Sequence, residues 1–386
     1  MNYKPSFNLL NALIIILLMA GGQLIASENT TVQASQIDDG PYIFEHSIKG
    51  NQAHWICKNQ LVTQNSNLKE IDKGRLTNEI SINKSTTDIT FEKPALCQSL
   101  STSTVTTSVI SVSKDEYQNV ENIVALSDIH GRFDVFKKLL KNHKIIDEYS
   151  NWQFGTGHMV ITGDVFDRGE QVNEVLWLLY KLEKQALLAG GRLHLLMGNH
   201  EQMVLRGDLR YVHDKYNLAE KLLNRSYDQL YNQQTVIGQW LRSKNTIVKL
   251  NNTLFLHGGI STDWLEHKLN ITKANQLLRA HIDDDNDEIK KNDVLQFLLR
   301  SNGPTWYRGF FNNDYSEKSL SQLLKYFGVS RFVVGHTTQT QVLGLFDNKI
   351  VAVDSGIKNG ESGELLFIEN NNLTRGLFNG KRQVLH

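Results

Sequence analysis

Three short apolar runs in the middle of the chain each end in a polar residue, and these residues are almost evenly spaced. Asp128, Asp164 and Asn199 stand 36 and 35 residues apart, and a segment with helical periodicity follows each of them. This strand–turn–helix repetition predicts an α/β fold with parallel strands. Because the carboxyl ends of parallel strands share one edge of a sheet, we expect the three side chains to lie close together there.

Apolar periodicity predicts the positions of the strands and helices. The first strands and the helices between them are predicted at 123–126, 159–161, 193–197, 134–142 and 170–188. Later apolar runs, which either extend the sheet or form a second one, lie at 253–256, 332–334, 350–353 and 365–368. Mainly helical structure is predicted for 205–245 and 262–328.

The first 27 residues have the pattern of a secretory signal peptide. Lys4 precedes an apolar run from Leu9 to Ala20, and small residues follow up to Ser27. The run is shorter than the ~20 apolar residues that span a bilayer, so no stable membrane anchor is expected. We therefore predict that the protein is exported, to the periplasm or out of the cell.

A polar segment separates this leader from the α/β part. Residues 28–118 are rich in Ser, Thr and Asn and contain short alternating runs such as Tyr42–His46, which predict a small β-rich extension. Within it, 99–113 is either an edge strand or a linker. A catalytic domain is predicted over 119–386.

Charge and cysteine content narrow the possible partners and compartment. The 41 basic and 41 acidic side chains leave no net charge, so nothing indicates nucleic acid as a partner. Cys57 and Cys97 are the only cysteines, and neither belongs to a CxxC motif. In an oxidising compartment they are expected to form a disulfide, worth about 4 kcal/mol by chain entropy; the alternative is two buried free thiols.

Five short segments contain side chains that can bind metal ions. They offer carboxylate, amide and imidazole groups without thiolate, which favours manganese, iron or zinc over a structural zinc site. Each alone could be an ordinary turn or a helix cap, as Asn199 would be, but five together favour a metal centre. The segments are Ser127–Gly131, Gly163–Gly169, Gly198–Glu201, His257–Gly259 and Gly335–Thr337.

Three of these segments resemble the signature of the calcineurin-like metallophosphoesterases, and more narrowly of the phosphoprotein phosphatases. They read Asp-x-His-Gly at 128–131, Gly-Asp-x-x-Asp-Arg-Gly at 163–169 and Gly-Asn-His-Glu at 198–201. The runs 303–309 and 333–337 are similar to the Shewanella-like branch, which includes bacterial cold-active protein tyrosine phosphatases. The resemblance covers about residues 120–370 and implies a double β-sheet sandwich flanked by helices. The Ser-Ala-Pro-Asn-Tyr-Cys stretch of the eukaryotic serine/threonine enzymes is absent, which separates this chain from their substrate choice.

The resemblance also implies a site with two divalent metal ions. A hydroxide made available by the two ions would attack phosphorus in line with the leaving oxygen. The implied ligands are Asp128 and His130 for the first ion, Asn199, His257 and His336 for the second, and Asp164 as a bridge between them.

Four further residues receive roles from the same resemblance. His200 would act as the general acid toward the leaving oxygen, with Asp167 orienting its ring. Arg168 and Arg308 would bind the phosphate through their guanidinium groups. The alternative for Asp167 and Arg168 is a plain surface ion pair.

Three functions are compatible with these motifs. The leading one is a phosphomonoesterase acting on phosphorylated proteins, with phosphotyrosine preferred. Trp306 or Tyr307 would then either stack on the aromatic leaving group or pack in the core. A dinucleotide polyphosphate or nucleotide hydrolase is the second possibility. The third, a binding module that has lost its metals, is disfavoured by the complete ligand set; the acidic run 283–288 predicts a solvated loop and no calcium site.

Overall fold

A computed structural model describes residues 36–46, 50–66, 89–100, 104–107, 110–312 and 315–386, all within one unit that begins at Gln36. The predicted signal peptide, 1–27, lies outside the described residues. In the described part the strands are β1 Asp39–His46, β2 Gly50–Cys57, β3 Gln60–Asn65, β4 Ile89–Glu92, β5 Thr104–Thr107, β6 Glu116–Tyr117, β7 Asn122–Leu126, β8 His158–Ile161, β9 Arg192–Leu195, β10 Ile247–Leu250, β11 Thr253–Leu256, β12 Arg331–Val334, β13 Leu343–Leu345, β14 Ile350–Ala352, β15 Leu365–Glu369, β16 Asn372–Gly376 and β17 Arg382–Val384.

The helices of the described part lie mainly between these strands. They are α1 Phe133–Asn142, α2 Val172–Leu188, α3 Asn199–Leu205, α4 Tyr216–Leu223, α5 Val236–Arg242, α6 Trp264–His267, α7 Ile271–Ala280, α8 Asn286–Lys290, α9 Asp293–Leu299 and α10 Glu317–Phe327. Short 3₁₀ helices occur at Tyr227–Tyr231, Gly309–Phe311 and Ile357–Asn359.

One six-stranded sheet contains the evenly spaced repetition. Its strand order is β17-β16-β15-β7-β8-β9, and β7, β8 and β9 are parallel. Strand β9 ends at Leu195, two residues before the predicted end. Asp128, Asp164 and Asn199 follow β7, β8 and β9 within four residues, so the sheet places all three on one edge.

A second six-stranded sheet delivers the histidines from the later motifs. Its order is β13-β14-β12-β11-β10-β6, with β11, β12 and β14 parallel. His257 follows β11 directly, and His336 lies two residues beyond β12. The later apolar runs therefore form mainly a second sheet, while β15 joins the first.

The two sheets pack face to face, as expected for a double sandwich. Alternate residues of each strand point inward, so one buried layer combines Ile123, Ala125 and Val160 of the first sheet with Phe255 and Val333 of the second. On the outer faces, α1 and α2 cover the first sheet, and α7, α9 and α10 cover the second. The predicted α/β sandwich flanked by helices is confirmed.

The β-rich extension shares its core with the catalytic part. Strands β1, β2 and β3 form an antiparallel sheet, and β4 pairs with β5, so 104–107 is a strand. The indole nitrogen of Trp177 on α2 donates to the Pro41 carbonyl at 2.9 Å, and the Glu45 amide donates to the Gln234 carbonyl at 2.8 Å. Strand β6 pairs with β10, so the second sheet begins slightly before the predicted boundary at 118.

A disulfide joins Cys57 at the end of β2 to Cys97, as predicted, and the alternative of two free thiols does not apply. It closes the loop that contains β3 and β4 and thereby restricts the unfolded chain. Within the described residues we find no helix with the length and apolar character needed to cross a bilayer.

A buried histidine pair on the first sheet makes the stability of the fold depend on pH. His158 Nδ1 and His194 Nε2 are 3.0 Å apart, and the Tyr117 ring packs edge-on against both imidazoles. Burial lowers the pKa of His158 to about 4 and that of His194 well below its usual range. The positive charge that a protonated His158 would bring lowers the pKa of His194 further. Both rings are therefore neutral in the native protein at neutral pH.

We expect acid to destabilise the protein through this pair. The unfolded histidines take up protons near pH 6.5 and the folded ones only at lower pH. The contribution of the neutral pair to the free energy of unfolding is therefore complete above pH 6.5 and is lost between about pH 6.5 and 4. After allowance for solvent screening, His158 should lower the free energy of unfolding by about 1–2 kcal/mol over this window. Urea titrations at a series of pH values should show a flatter profile for His158→Gln/His194→Gln than for the wild type, whereas the exposed His386→Gln should keep the wild-type slope. Parallel profiles for the pair variant and the wild type would contradict the assignment.

Candidate active site

The turns at the sheet edge hold their side chains in a backbone conformation that is unusual outside glycine. Positive φ angles, between 45° and 71°, occur at six of the predicted site residues, and each such residue costs about 1–2 kcal/mol. Glycine is needed where two turns touch, since a Cβ on Gly198 would lie 2.2 Å from Asp164 Oδ1. The six residues with positive φ are Asp128, His130, Asp164, Asp167, Arg168 and His336.

Four histidines direct one ring nitrogen into the site because the other is bonded to the protein. The Nδ1–H groups of His130 and His257 donate to the carbonyl oxygens of Phe166 and Thr162, at 2.6 and 2.9 Å. Such an anchor fixes the tautomer and leaves Nε2 of each ring as an electron-pair donor. His336 and His200 follow the same rule through the Trp306 carbonyl, at 3.1 Å, and the Asp167 carboxylate.

The predicted ligands converge on two adjoining positions. His257 Nε2 lies 3.2 Å from Asp164 Oδ2, 3.0 Å from Asn199 Oδ1 and 3.2 Å from His336 Nδ1. On the other side of the same carboxylate, His130 Nε2 lies 3.6 Å from Asp164 Oδ2 and 3.6 Å from Asp128 Oδ1. Asp164 therefore belongs to both groups of donors. All six predicted ligands are buried, none being more than 5% exposed.

The electrostatics of this cluster fit divalent cations. His257 Nε2 and the three electron-pair donors around it would repel each other unless a positive charge lay among them. Burial opposes a charged His257, yet Asp164 raises its pKa to about 9, while burial and then the charge of His257 lower the pKa of His336 to about 3. Burial likewise opposes ionisation of Asp128, but His130 and His257 bring its pKa to about 2. A proton on His257 thus supplies a positive charge that bound metal ions would supply equally well. The oxygen and imidazole donors suit manganese, iron or zinc.

Glu201 links the two turns that present Asp164 and Asn199. Its buried carboxylate accepts backbone hydrogen bonds from Asp164 and Gly198, at 2.8 and 2.7 Å, and from Val165 at 2.7 Å. One side chain thereby fixes the position of Asp164, which belongs to both donor groups, relative to Asn199, which belongs to only one. The sequence analysis included Glu201 in a motif but gave it no role.

His200 lies beside the donors and is bonded to Asp167. Its Nδ1–H donates to Asp167, both side chains are nearly fully buried, and its Nε2 lies 3.8 Å from Asp164 Oδ2. Burial lowers the pKa of His200, but Asp164 and then Asp167 outweigh burial and raise it. Asp167 is therefore not in a surface ion pair with Arg168, contrary to the plain alternative.

The two predicted phosphate-binding arginines are exposed at the rim of the site. Arg308 donates to the His336 carbonyl at 2.8 Å, and the Arg168 guanidinium lies 5.2 Å from the centre of the Tyr211 ring. Tyr211, 43% exposed, also packs against His200, with ring centres 5.4 Å apart. No motif marks Tyr211, which lies in a loop, so the sequence analysis missed it.

The aromatic pair after Pro304 divides between the site and the core. Trp306 is half-buried; its carbonyl accepts from His336, and its ring centre lies 6.1 Å from that of His336. Tyr307 packs edge-on against Phe310 of the second-sheet core. A second residue that the sequence analysis missed, Asp354, is fully buried, and burial followed by the charge of Asp128 raises its pKa to about 8.

Comparisons with known proteins agree with this geometry. Residues 121–339 match the calcineurin-like phosphoesterase family. The crystal structure of a cold-active protein-tyrosine phosphatase from a psychrophilic Shewanella species is 49% identical, with a TM-score of 0.82, and the match covers 91% of this chain and 100% of that one. Shewanella-like protein phosphatase 1 of Plasmodium berghei (strain Anka) is 33% identical over 259 residues, 63% of this chain and 70% of that protein. Shewanella-like protein phosphatase 2 of Arabidopsis thaliana is 25% identical over 298 residues, 64% of this chain and 74% of that protein.

The predicted resemblance is confirmed at the level of the family and of the Shewanella-like relatives. The matched segment begins just before β7, ends just after His336 and so includes every predicted ligand. Because it spans more than half of the chain, the chain belongs to the calcineurin-like phosphoesterase family of metal-dependent hydrolases.

Proposed function

We propose that this protein is a two-metal phosphomonoesterase that removes phosphate from phosphorylated proteins, with a preference for phosphotyrosine. The observation that supports it best is the position of Asp164 between two groups of buried donors, with the His200–Asp167 pair next to them. A carboxylate shared in this way is suited to hold two cations close together, and a proton donor beside them is suited to a phosphate ester.

Asp128 and His130 would hold one divalent ion, and Asn199, His257 and His336 the other, with Asp164 bound to both. When bound, the ions supply Lewis acidity and a nucleophile at neutral pH. Manganese, iron or zinc suits the donors. His200 also lies within 4.8 Å of His130 and Asp164 at their donor atoms, so distance alone would permit it as a ligand.

The bond from His200 to Asp167 favours a role in proton transfer. Asp167 fixes the proton of Nδ1, and Asp164 and Asp167 together outweigh burial and raise the pKa of the ring, which favours a proton on Nε2. That proton would pass to the leaving oxygen as the ester bond to phosphorus breaks. Arg168 and Arg308 lie at the rim, where their guanidinium groups would bind the phosphate oxygens.

The preference for phosphotyrosine has separate support. Trp306 and Tyr211 are both accessible, and each packs against a different predicted site histidine, Trp306 against His336 and Tyr211 against His200. Aromatic contacts of this kind are worth about 0.5–1.5 kcal/mol, which can favour an aryl over an alkyl leaving group. The structurally characterised relative at 49% identity is described as a protein-tyrosine phosphatase.

Steady-state hydrolysis of matched substrates tests this proposal. We expect kcat/KM on a phosphotyrosine peptide to exceed that on the same peptide with phosphoserine by roughly tenfold. Trp306→Ala should reduce this ratio, whereas Trp152→Ala, at a half-buried tryptophan outside the site, should leave it unchanged. Equal losses on both peptides would contradict stacking by Trp306, and activity confined to diadenosine tetraphosphate would replace the protein phosphatase by a dinucleotide hydrolase.

We also propose that the protein acts outside the cytoplasm and that residues 119–386 perform the catalysis. The Cys57–Cys97 disulfide supports export, because such bonds persist in oxidising compartments. The extension, 28–118, would support the catalytic domain through α2 and the segment before α5, where β1 is bonded to both.

A further inference from the structure

A cleft of about 480 Å³ lies directly beside the predicted metal centre. Met203 and Trp306 form part of its wall. The sulfur of Met203 is 3.8 Å from Asn199 Nδ2, and the Trp306 carbonyl is bonded to His336, so this wall touches two predicted ligands. The cleft thus adjoins the predicted metal centre.

The four aspartates that line the cleft are each engaged with a partner. Asp208 accepts two hydrogen bonds from Arg210, and Asp283 accepts hydrogen bonds from Nε and Nη2 of Arg242. Asp285 caps α8, so the predicted solvated loop gives way to a helix there, and Asp284 accepts from His281. Asp208 and Asp283 are therefore each neutralised by an arginine, whereas Asp284 and Asp285 keep charge that acts on Arg206 from within the cleft.

Two arginines in the same cleft have no directly bonded carboxylate, although the charges of Asp284 and Asp285 act on Arg206 through space. Arg206 and Arg300 both donate to a single neutral acceptor, Asn286 Oδ1, at 3.2 and 2.9 Å. Within the described residues neither arginine forms an ion pair with a carboxylate. Burial and then the charge of Arg300 lower the pKa of Arg206, as expected for two guanidinium groups held side by side. Their remaining N–H donors are available to an anion.

The distance from the reaction centre fits a peptide substrate. Helix α3 begins at the predicted ligand Asn199, and Gln202 and Arg206 follow at positions three and seven on the same face. Seven residues of helix correspond to about 10 Å. An extended peptide covers that distance in about three residues. Gln202 lies between the two ends, and its buried side-chain nitrogen has no hydrogen-bond partner among the described residues.

We propose that Arg206 and Arg300 form a subsite for an acidic group on the phosphopeptide, two or three residues from the phosphorylated one. The inference rests on the proposed phosphoprotein phosphatase activity and specifies its substrate class. The group is a carboxylate side chain or a second phosphate, since both match the guanidinium fork. The subsite would make the enzyme select phosphorylated residues in acidic sequences.

Competition between peptides tests the subsite without depending on absolute activity. A phosphotyrosine peptide with Glu at positions two and three on either side is compared with the same peptide carrying Gln. We expect the wild type to favour the Glu peptide by roughly tenfold in kcat/KM and to lose this preference as salt is raised. In the variant Arg206→Gln/Arg300→Gln the ratio should fall to about one, and in the control Arg382→Gln, at a surface arginine paired with Glu369, it should remain as in the wild type.

The outcomes separate the two proposals. If the wild type hydrolyses neither peptide, the phosphoprotein phosphatase function fails. If it hydrolyses both at the same rate, or if the double variant keeps the tenfold ratio, only the subsite is wrong. Arg206→Lys/Arg300→Lys retains the charge and should recover part of the preference, which distinguishes loss of the subsite from misfolding. Replacing Glu by phosphoserine at the same positions shows which acidic group is favoured.

Discussion

Replacing Asp164 by asparagine is expected to lower kcat/KM by at least about a thousandfold and to cause the loss of bound metal. The carboxylate lies 3.2 Å from His257 and 3.6 Å from His130, so it is the group common to both sets of donors. Metal ions contribute several kcal/mol to charge stabilisation in such reactions, and each 1.36 kcal/mol corresponds to a factor of ten. Asparagine keeps the shape but removes the charge that would hold two cations near each other.

A matched control exists for this substitution. Asp347 is exposed and has a φ of 53°, close to the 60° of Asp164, so Asp347→Asn repeats the chemical change in a similar backbone conformation. Metal content measured by plasma mass spectrometry and hydrolysis of p-nitrophenyl phosphate should both stay at wild-type values in the control. An Asp164→Asn protein with two bound ions and activity within tenfold of the wild type would refute the bridging role.

The second large effect is expected at His200 and should depend on the leaving group. General acid catalysis contributes about 10²–10⁴, so His200→Asn should lower kcat on a phosphoserine peptide by such a factor. The loss should be smaller with p-nitrophenyl phosphate, because p-nitrophenolate leaves readily without a proton. Phosphotyrosine, whose phenol has a pKa of about 10, should lie between them.

Asp167→Asn should give the same order of activity losses among the three substrates, and each loss should be smaller than with His200→Asn. Asparagine can still accept the His200 Nδ1–H bond but no longer stabilises the charged ring, so the proton on Nε2 becomes less available near neutral pH. His386→Asn, at an exposed histidine, serves as the control for His200→Asn. Equal losses of activity on all three substrates, accompanied by loss of bound metal, would instead indicate that His200 is a ligand.

The sequence predicts the strands that end at the motifs because two signals coincide there. Apolar runs mark β7, β8, β11 and β12, and glycine-rich turns with polar donors mark where they end. Strands β16 and β17 at the sheet edge were missed, since Asn372–Gly376 and Arg382–Val384 have little apolar periodicity. Pairing with a neighbour, rather than local propensity, makes these segments strands.

Within the site, sequence identifies groups that belong to motifs but not those that become neighbours only in the folded chain. Tyr211 reaches His200 from a loop outside any motif, and Asp354, which directly follows the predicted strand 350–353, approaches Asp128 from the second sheet. The buried role of Glu201 was equally invisible, because four backbone N–H groups from two different turns meet only after folding. Arg206 and Arg300 come together for the same reason.

The bonds between the extension and the segment around α5 determine when the N-terminal part can finish folding during synthesis. The side chain of Gln239 donates to Glu45 across 194 residues of sequence, and β1 lies against α2 and the segment before α5. At about 5–20 residues per second, a ribosome needs roughly 10–40 s to add that much chain. Until α2 and then α5 have been made, the apolar side chains of β1 lack these partners, so a nascent chain would depend on chaperones to avoid aggregation.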